Sequence, residues 1–133
     1  MANALYNKGK EALLGGDIDY DANNIKLVLM DETDDAVVLT TDDALDDILA
    51  GSRVATSGNL ASKTKTDGVA DAADVTLTAV TGDQSESFTL YKDTGTEATS
   101  LLICNFDTAT GLPVTPNGGD ITIQWNASGI FAI

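Results

Sequence analysis

The sequence predicts a mainly β chain: a single antiparallel β-sandwich or jelly-roll-like domain spanning residues 1–133, with one or two short helices. Three observations lead there. Alternating apolar and polar residues recur in the second half, as in Asp74-Val75-Thr76-Leu77-Thr78-Ala79-Val80 and Gly119-Asp120-Ile121-Thr122-Ile123-Gln124-Trp125. Turn-forming clusters at Thr81-Gly82-Asp83, Asp93-Thr94-Gly95 and Pro116-Asn117-Gly118-Gly119 separate these runs at a spacing suited to a sandwich or barrel. Helical periodicity is confined to short stretches near the N-terminus.

In chain order, residues 3–14 predict a helix with a thin apolar stripe of Leu5, Ala12 and Leu13, stopped by Gly15-Gly16. So thin a stripe at a terminus suits a docking or oligomerisation arm over residues 1–14 better than a core element. Lys8 and Lys10 would steer this arm to an acidic neighbour, and Leu5, Tyr6 and Leu13 would bury against it. Ile25 to Met30 is expected as a strand apolar on nearly both faces, and Ala36 to Thr40 as a second, joined by the polar turn Asp31 to Asp35. Thr41 has the character of an N-cap for a short helix with Asp42 and Asp43 in its first turn, an apolar face of Leu45, Ile48 and Leu49, and a stop at Gly51.

Arg53 to Ser57 can form a short strand, and residues 57–73, polar and small, are expected as a long loop. The run 74–80 places Val75, Leu77 and Ala79 on one face. Ser87 to Tyr91 alternates as well, Thr99 to Phe106 is a more buried run, and Gly129 to Ile133 closes the chain. Ile123 and Trp125 are expected in the core.

With 133 residues the chain can bury roughly 68% of its unfolded surface in one core. Aromatics make up only 5%, so that core rests on Val, Ile, Leu and Ala. Seven basic residues face 21 acidic ones, a net charge of −14. Such a field repels phosphate backbones, so direct nucleic-acid binding is not expected, and a docking partner must be locally basic or present an apolar patch. No stretch is long and apolar enough to span a membrane, and the N-terminus lacks the basic and apolar blocks of a signal peptide, so a protein made in a cytoplasm, without that export route, is expected. Cys104 is the single cysteine and sits in the apolar run Leu101-Leu102-Ile103-Cys104, as a small buried hydrophobe would.

The chemistry-bearing patterns are few. Asp17-Ile18-Asp19-Tyr20-Asp21 opens like a calcium loop, but its sixth position is Ala22 where glycine is needed and its twelfth is Val28 where glutamate is needed. A solvated turn fits Asp17, Asp19 and Asp21 better, with a looser site built with Asp31 or Asp35 as the alternative. Paired acids at Asp42-Asp43 and Asp46-Asp47 would suit a glycosidase only with a sugar-sized cleft and aromatic platforms, for which Trp125 and three tyrosines are thin material. The chain has no histidine, which removes His-dependent nucleophilic catalysis and His-based metal sites. A non-enzyme is therefore expected, with no catalytic residue, no cofactor and no metal.

Ala4-Leu5-Tyr6-Asn7-Lys8-Gly9-Lys10-Glu11-Ala12-Leu13-Leu14-Gly15-Gly16-Asp17-Ile18-Asp19, Leu49-Ala50-Gly51-Ser52-Arg53-Val54-Ala55, Asp67-Gly68-Val69-Ala70-Asp71-Ala72-Ala73-Asp74-Val75, Tyr91-Lys92-Asp93-Thr94-Gly95-Thr96-Glu97 and the stretch from Thr108 to Trp125 together cover most of the chain. In these segments the sequence resembles a family of small virion proteins of tailed bacteriophages. Cys104 departs from the family pattern. The resemblance implies a structural particle component, foremost an outer capsid decoration or cement protein that binds and stabilises the lattice of the major capsid protein. A tail-associated or host-surface binding module of the particle is the alternative. An outer position suits the charge, since a capsid lining at −14 would face packaged DNA in every copy. The partners then expected are the major capsid protein and the chain itself, as a homotrimer or homodimer on a symmetry axis, with no membrane partner.

Overall fold

The computed structural model describes residues 3–133. In chain order its elements are β1 (Ala4–Leu5), α1 (Asn7–Gly15), β2 (Ile25–Met30), β3 (Arg53–Thr56), β4 (Val69–Ala70), β5 (Val75–Leu77), β6 (Ser87–Lys92), β7 (Leu102–Phe106), β8 (Ile121–Ile123) and β9 (Phe131–Ala132). Short 3-10 turns lie at Leu45–Asp47, Ala50–Ser52, Thr66–Gly68 and Glu97–Thr99. The expected mainly β, sandwich-like class is what the chain adopts. Five antiparallel strands form one open sheet in the order β1-β7-β6-β2-β3, and two small two-stranded sheets pair β4 with β9 and β5 with β8.

Strand β2 explains why the main sheet is buried on both faces. Its period of two sends Ile25, Leu27 and Leu29 into one cluster and Val28 and Met30 into another. The first cluster adds Phe88 and Leu90 of β6, Val75 and Leu77 of β5, Ala70 of β4 and Ile130. The small sheets thus supply the second layer of the sandwich over that face. The opposite face carries Tyr6, Tyr91 and Leu102 and is covered by an irregular excursion between β2 and β3, through Leu45 and Ile48 with Val37 and Leu39 alongside.

That excursion departs from the sequence expectation. Residues 36–40 form no strand. Both sides of β2 are already taken, by β6 and β3, so residues 36–40 cannot fold back onto it as a hairpin. Val37 and Leu39 still alternate inward and Val38 outward, the pattern of a strand without its partner. The expected helix after Thr41 is reduced to two 3-10 turns. Its backbone is captured across the fold: Leu45 N–H donates to the Ser100 carbonyl at 2.9 Å, and the Asp43 carbonyl accepts from Leu102 N–H at 3.0 Å. Leu49, expected on the apolar face, is exposed. Arg53 at the start of β3 pins the excursion, donating to the carbonyls of Leu45 at 2.8 Å and Ile48 at 2.9 Å while pairing with Glu97 at 2.6 Å.

The N-terminal segment also differs from the free arm expected over residues 1–14, of which Met1 and Ala2 lie outside the described residues. Ala4–Leu5 form β1 and pair with Asn105 and Cys104 of β7. Tyr6 is fully buried in the second core, so it is not available to a partner. Its hydroxyl meets Thr89 Oγ1 at 2.9 Å, within a buried group where Asn105 Nδ2 donates to Thr89 Oγ1 at 3.1 Å and Ser87 Oγ at 3.2 Å. Helix α1 lies on a β-bulge: β7 shifts register against β6 so that Leu90 faces Cys104 while Tyr91 faces Leu102. The intervening Ile103 carbonyl takes Tyr6 N–H at 2.9 Å, and Gly9 rests on this bulge. The helix ends at Gly16, whose left-handed φ of 81° lets its N–H reach the carbonyls of Ala12 and Leu13.

Elsewhere the boundaries tighten. The stretch 57–73, expected as a loop, contains a 3-10 turn and β4, with Thr64 and Asp71 bridged. Ala79 is exposed with φ of 49°, which breaks the alternation and puts Val80 in the core in its place. Cys104 is buried as expected, and burial pushes its thiol pKa well up, which keeps it protonated and inert.

Candidate functional site

The acidic patterns singled out by sequence fall into separate arrangements. In the Asp17 to Asp21 turn, Ile18 and Tyr20 point into the core while Asp17, Asp19 and Asp21 are exposed. The space between Asp19 and Asp21 is taken by Lys65, 3.4 Å and 2.9 Å from their carboxylates, so a cation there would have to displace a bound ammonium. Asp31 does not join that turn. It gathers with Asp34 and Asp83, their oxygens within 4.8 Å of one another. Asp35 instead accepts the Leu49 N–H at 2.7 Å. Asp42 caps the Val38 N–H at 2.9 Å and Asp47 the Asp43 N–H at 2.7 Å, so two of the paired acids hold the excursion in shape. Asp43, Asp46 and Asp47 cluster in the open rather than across a cleft.

These acids titrate in two opposed groups. Desolvation holds Asp42, Asp43 and Glu86 above the ordinary carboxylate range, with neighbouring carboxylates adding to it. Hydrogen bonds depress Asp93, through Lys26, and Asp31, through Thr33. A raised carboxylate binds protons more readily when folded, so lowering pH from neutral toward the ordinary range adds stability. A depressed one contributes stability that is lost as pH falls through its folded value. The melting temperature should therefore rise as the pH is lowered from neutral toward the ordinary carboxylate range of about 4, and fall again below it. A monotonic decline from neutrality would contradict this assignment.

A large concavity lies elsewhere, at the end of the sandwich where β7 and β8 emerge. It has a volume of about 900 Å³. Phe88 forms its buried floor and stacks on Phe106 at 5.0 Å between ring centroids. Trp125 meets Phe88 edge-on at 5.7 Å and Phe106 at 6.0 Å. The indole is fixed: its Nε1–H donates to the Ala73 carbonyl at 3.0 Å, and its backbone N–H to Asp74 Oδ1 at 3.0 Å. Asn3 holds the opposite wall, accepting the N–H groups of Asp107 and Thr108 at 3.0 Å each and donating to the Thr108 carbonyl at 3.0 Å.

This corrects the expected placement of Ile123 and Trp125. Both are only half-buried and pack against the rim of the main core. Trp125→Ala should accordingly cost about 2 kcal/mol, below the roughly 3–5 kcal/mol of a fully buried tryptophan. Chemical denaturation of the two proteins checks it, and a loss above 4 kcal/mol would mean that the ring is a core element after all.

Sequence reasoning weighed Trp125 as an isolated platform and missed its partners. The alternation 121-123-125 is the one available signal, because it extends the inward face of β8 past its end to Trp125. Among the described residues no helix is long and apolar enough to cross a membrane. No family model matches the chain, and no curated protein matches it.

Proposed function

We propose that this chain is a non-enzymatic structural subunit of a tailed-bacteriophage particle, an outer capsid decoration protein that binds and stabilises the major capsid protein lattice. Its sequence resemblance points there. The structural observation that supports it is the surface of the excursion between β2 and β3. Val38 and Leu49 are exposed there, 44% and 59%, in a segment that also carries Asp34, Asp35, Asp42, Asp43, Asp46 and Asp47. Apolar anchors within an acidic rim suit a partner that offers an apolar recess ringed by basic residues. The excursion is held rigid by Arg53 and by its own carboxylate caps, so little ordering entropy opposes docking. Repetition over a lattice lets weak contacts of this kind accumulate, and a homotrimer or homodimer would multiply them further.

The test is rebinding of the purified chain to capsids stripped of it. Leu49→Asp should abolish rebinding with the fold intact. Full rebinding by that variant would remove the excursion from the interface. The groove described above favours a second reading, a tail-associated or host-surface module. The copy number in purified particles separates the two: a count that scales with the capsid lattice supports decoration, and that of a tail component supports the second.

A further inference from the structure

The groove beside Trp125 stands apart from the rest of this surface by its charge. The chain carries 28 charged side chains among 133 residues, yet none of the described residues lining the groove is charged. Its lining combines aromatic rings with amides and hydroxyls. Three of those polar groups have no partner among the described residues: the Gln124 amide, the Nδ2 of Asn126, whose Oδ1 alone is used by the Ser128 N–H, and the Thr110 hydroxyl. All three residues are exposed. The rings are held in place by the Nε1–H bond of Trp125 and by the Phe88–Phe106 stack.

We infer that this groove binds a neutral oligosaccharide. Sugar rings present two kinds of surface that match it. Their C–H faces carry partial positive charge and pack on the negative face of an aromatic ring. Their hydroxyls donate and accept, as free amides and hydroxyls do in return. An anionic ligand would find no cation in the lining and would meet the field of a chain at −14. The volume of about 900 Å³ lies at the upper end of the roughly 300–1,000 Å³ typical of small-molecule sites, and suits several sugar rings. Because the platform and its supports are already hydrogen-bonded, binding orders few side chains. This inference stands on the groove alone and is independent of capsid attachment.

Trp125 is the only tryptophan in the chain, so its fluorescence reports the site directly. The full-length protein is titrated with three neutral probes, maltohexaose, cellohexaose and chitohexaose, and with an acidic one, hexagalacturonate. The expected result is a saturable change with at least one neutral probe and none with the acidic one. Gln124→Ala, which removes an exposed side chain without a partner among the described residues, should weaken binding about tenfold while leaving the melting temperature unchanged. No response to any neutral probe overturns the inference, as does equal binding of the acidic one. Loss of capsid rebinding by Gln124→Ala without any sugar response would make the groove a protein contact and overturn it too. Sugar binding together with failed capsid rebinding by the unaltered protein would instead leave this site standing and remove the decoration role.

Discussion

Gly9→Ala should destabilise the domain by about 2–3 kcal/mol and lower its melting temperature by roughly 10 °C. On an isolated helix the same change would help, since alanine is favoured over glycine by about 1 kcal/mol in a helix interior. Here a Cβ on residue 9 would lie 2.6 Å from the Leu102 carbonyl oxygen and 2.7 Å from that of Ile103. Both obstacles are backbone, and the Ile103 oxygen is already engaged by Tyr6 N–H. Neither can yield unless α1 lifts off the bulge or β7 moves against β6, in the middle of the sheet. The strain therefore outweighs the propensity gain. Thermal and urea unfolding of the two proteins measure the difference. An unchanged or raised midpoint would show that α1 does not sit flush on β7.

Much of the main sheet was legible because its strands carry their burial in their composition. Ile25 to Met30 is apolar at nearly every position, and such a strand has to be covered on both sides. β2 is found with the same bounds, paired on both edges. β5 and β8 alternate as half-covered strands do, and their pairing follows the same inward residues, Val75 opposite Ile123 and Leu77 opposite Ile121. The failures share one cause, tertiary pairing that sequence periodicity cannot carry. Val37 and Leu39 alternate like a strand, but the strand before them, β2, is already paired on both edges, by β3 and β6. Leu45 and Ile48 have helical spacing, yet Ala44 is bridged to Leu101, which draws the backbone out of helical hydrogen bonding. In β6 the polar Ser87 and Thr89 alternate with Phe88 and Leu90, yet both are fully buried, because Tyr6 and Asn105 supply their partners from distant parts of the chain. The groove was illegible for the same reason. Its aromatic rings come from positions 88, 106 and 125, which no local pattern connects.

Removing residues 1–14 should cost the domain its fold, not merely an attachment. The deletion strips β1 from the edge of β7, exposing backbone at Cys104 and Asn105 that is now paired. It takes away Tyr6, which has no exposed surface and whose hydroxyl bonds to Thr89. Loss of that side chain alone is worth roughly 3–5 kcal/mol by analogy with other large aromatic truncations. It also removes Ala12 from the main core and uncovers the bulge at Ile103. Against a total stability of about 5–15 kcal/mol for a domain of this kind, the combined loss leaves little or nothing. The purified deletion protein should show no cooperative thermal transition, and Tyr6→Ala should shift the urea midpoint by an amount equivalent to about 4 kcal/mol. A deletion protein that unfolds cooperatively near the full-length midpoint would restore these residues to the status of an appended arm. Failed capsid rebinding by the deletion would by itself say nothing about docking, because an unfolded chain binds nothing. Leu14→Asp separates the two roles: Leu14 is 84% exposed on α1 and touches no core, so a folded variant that rebinds normally would take the helix out of the interface.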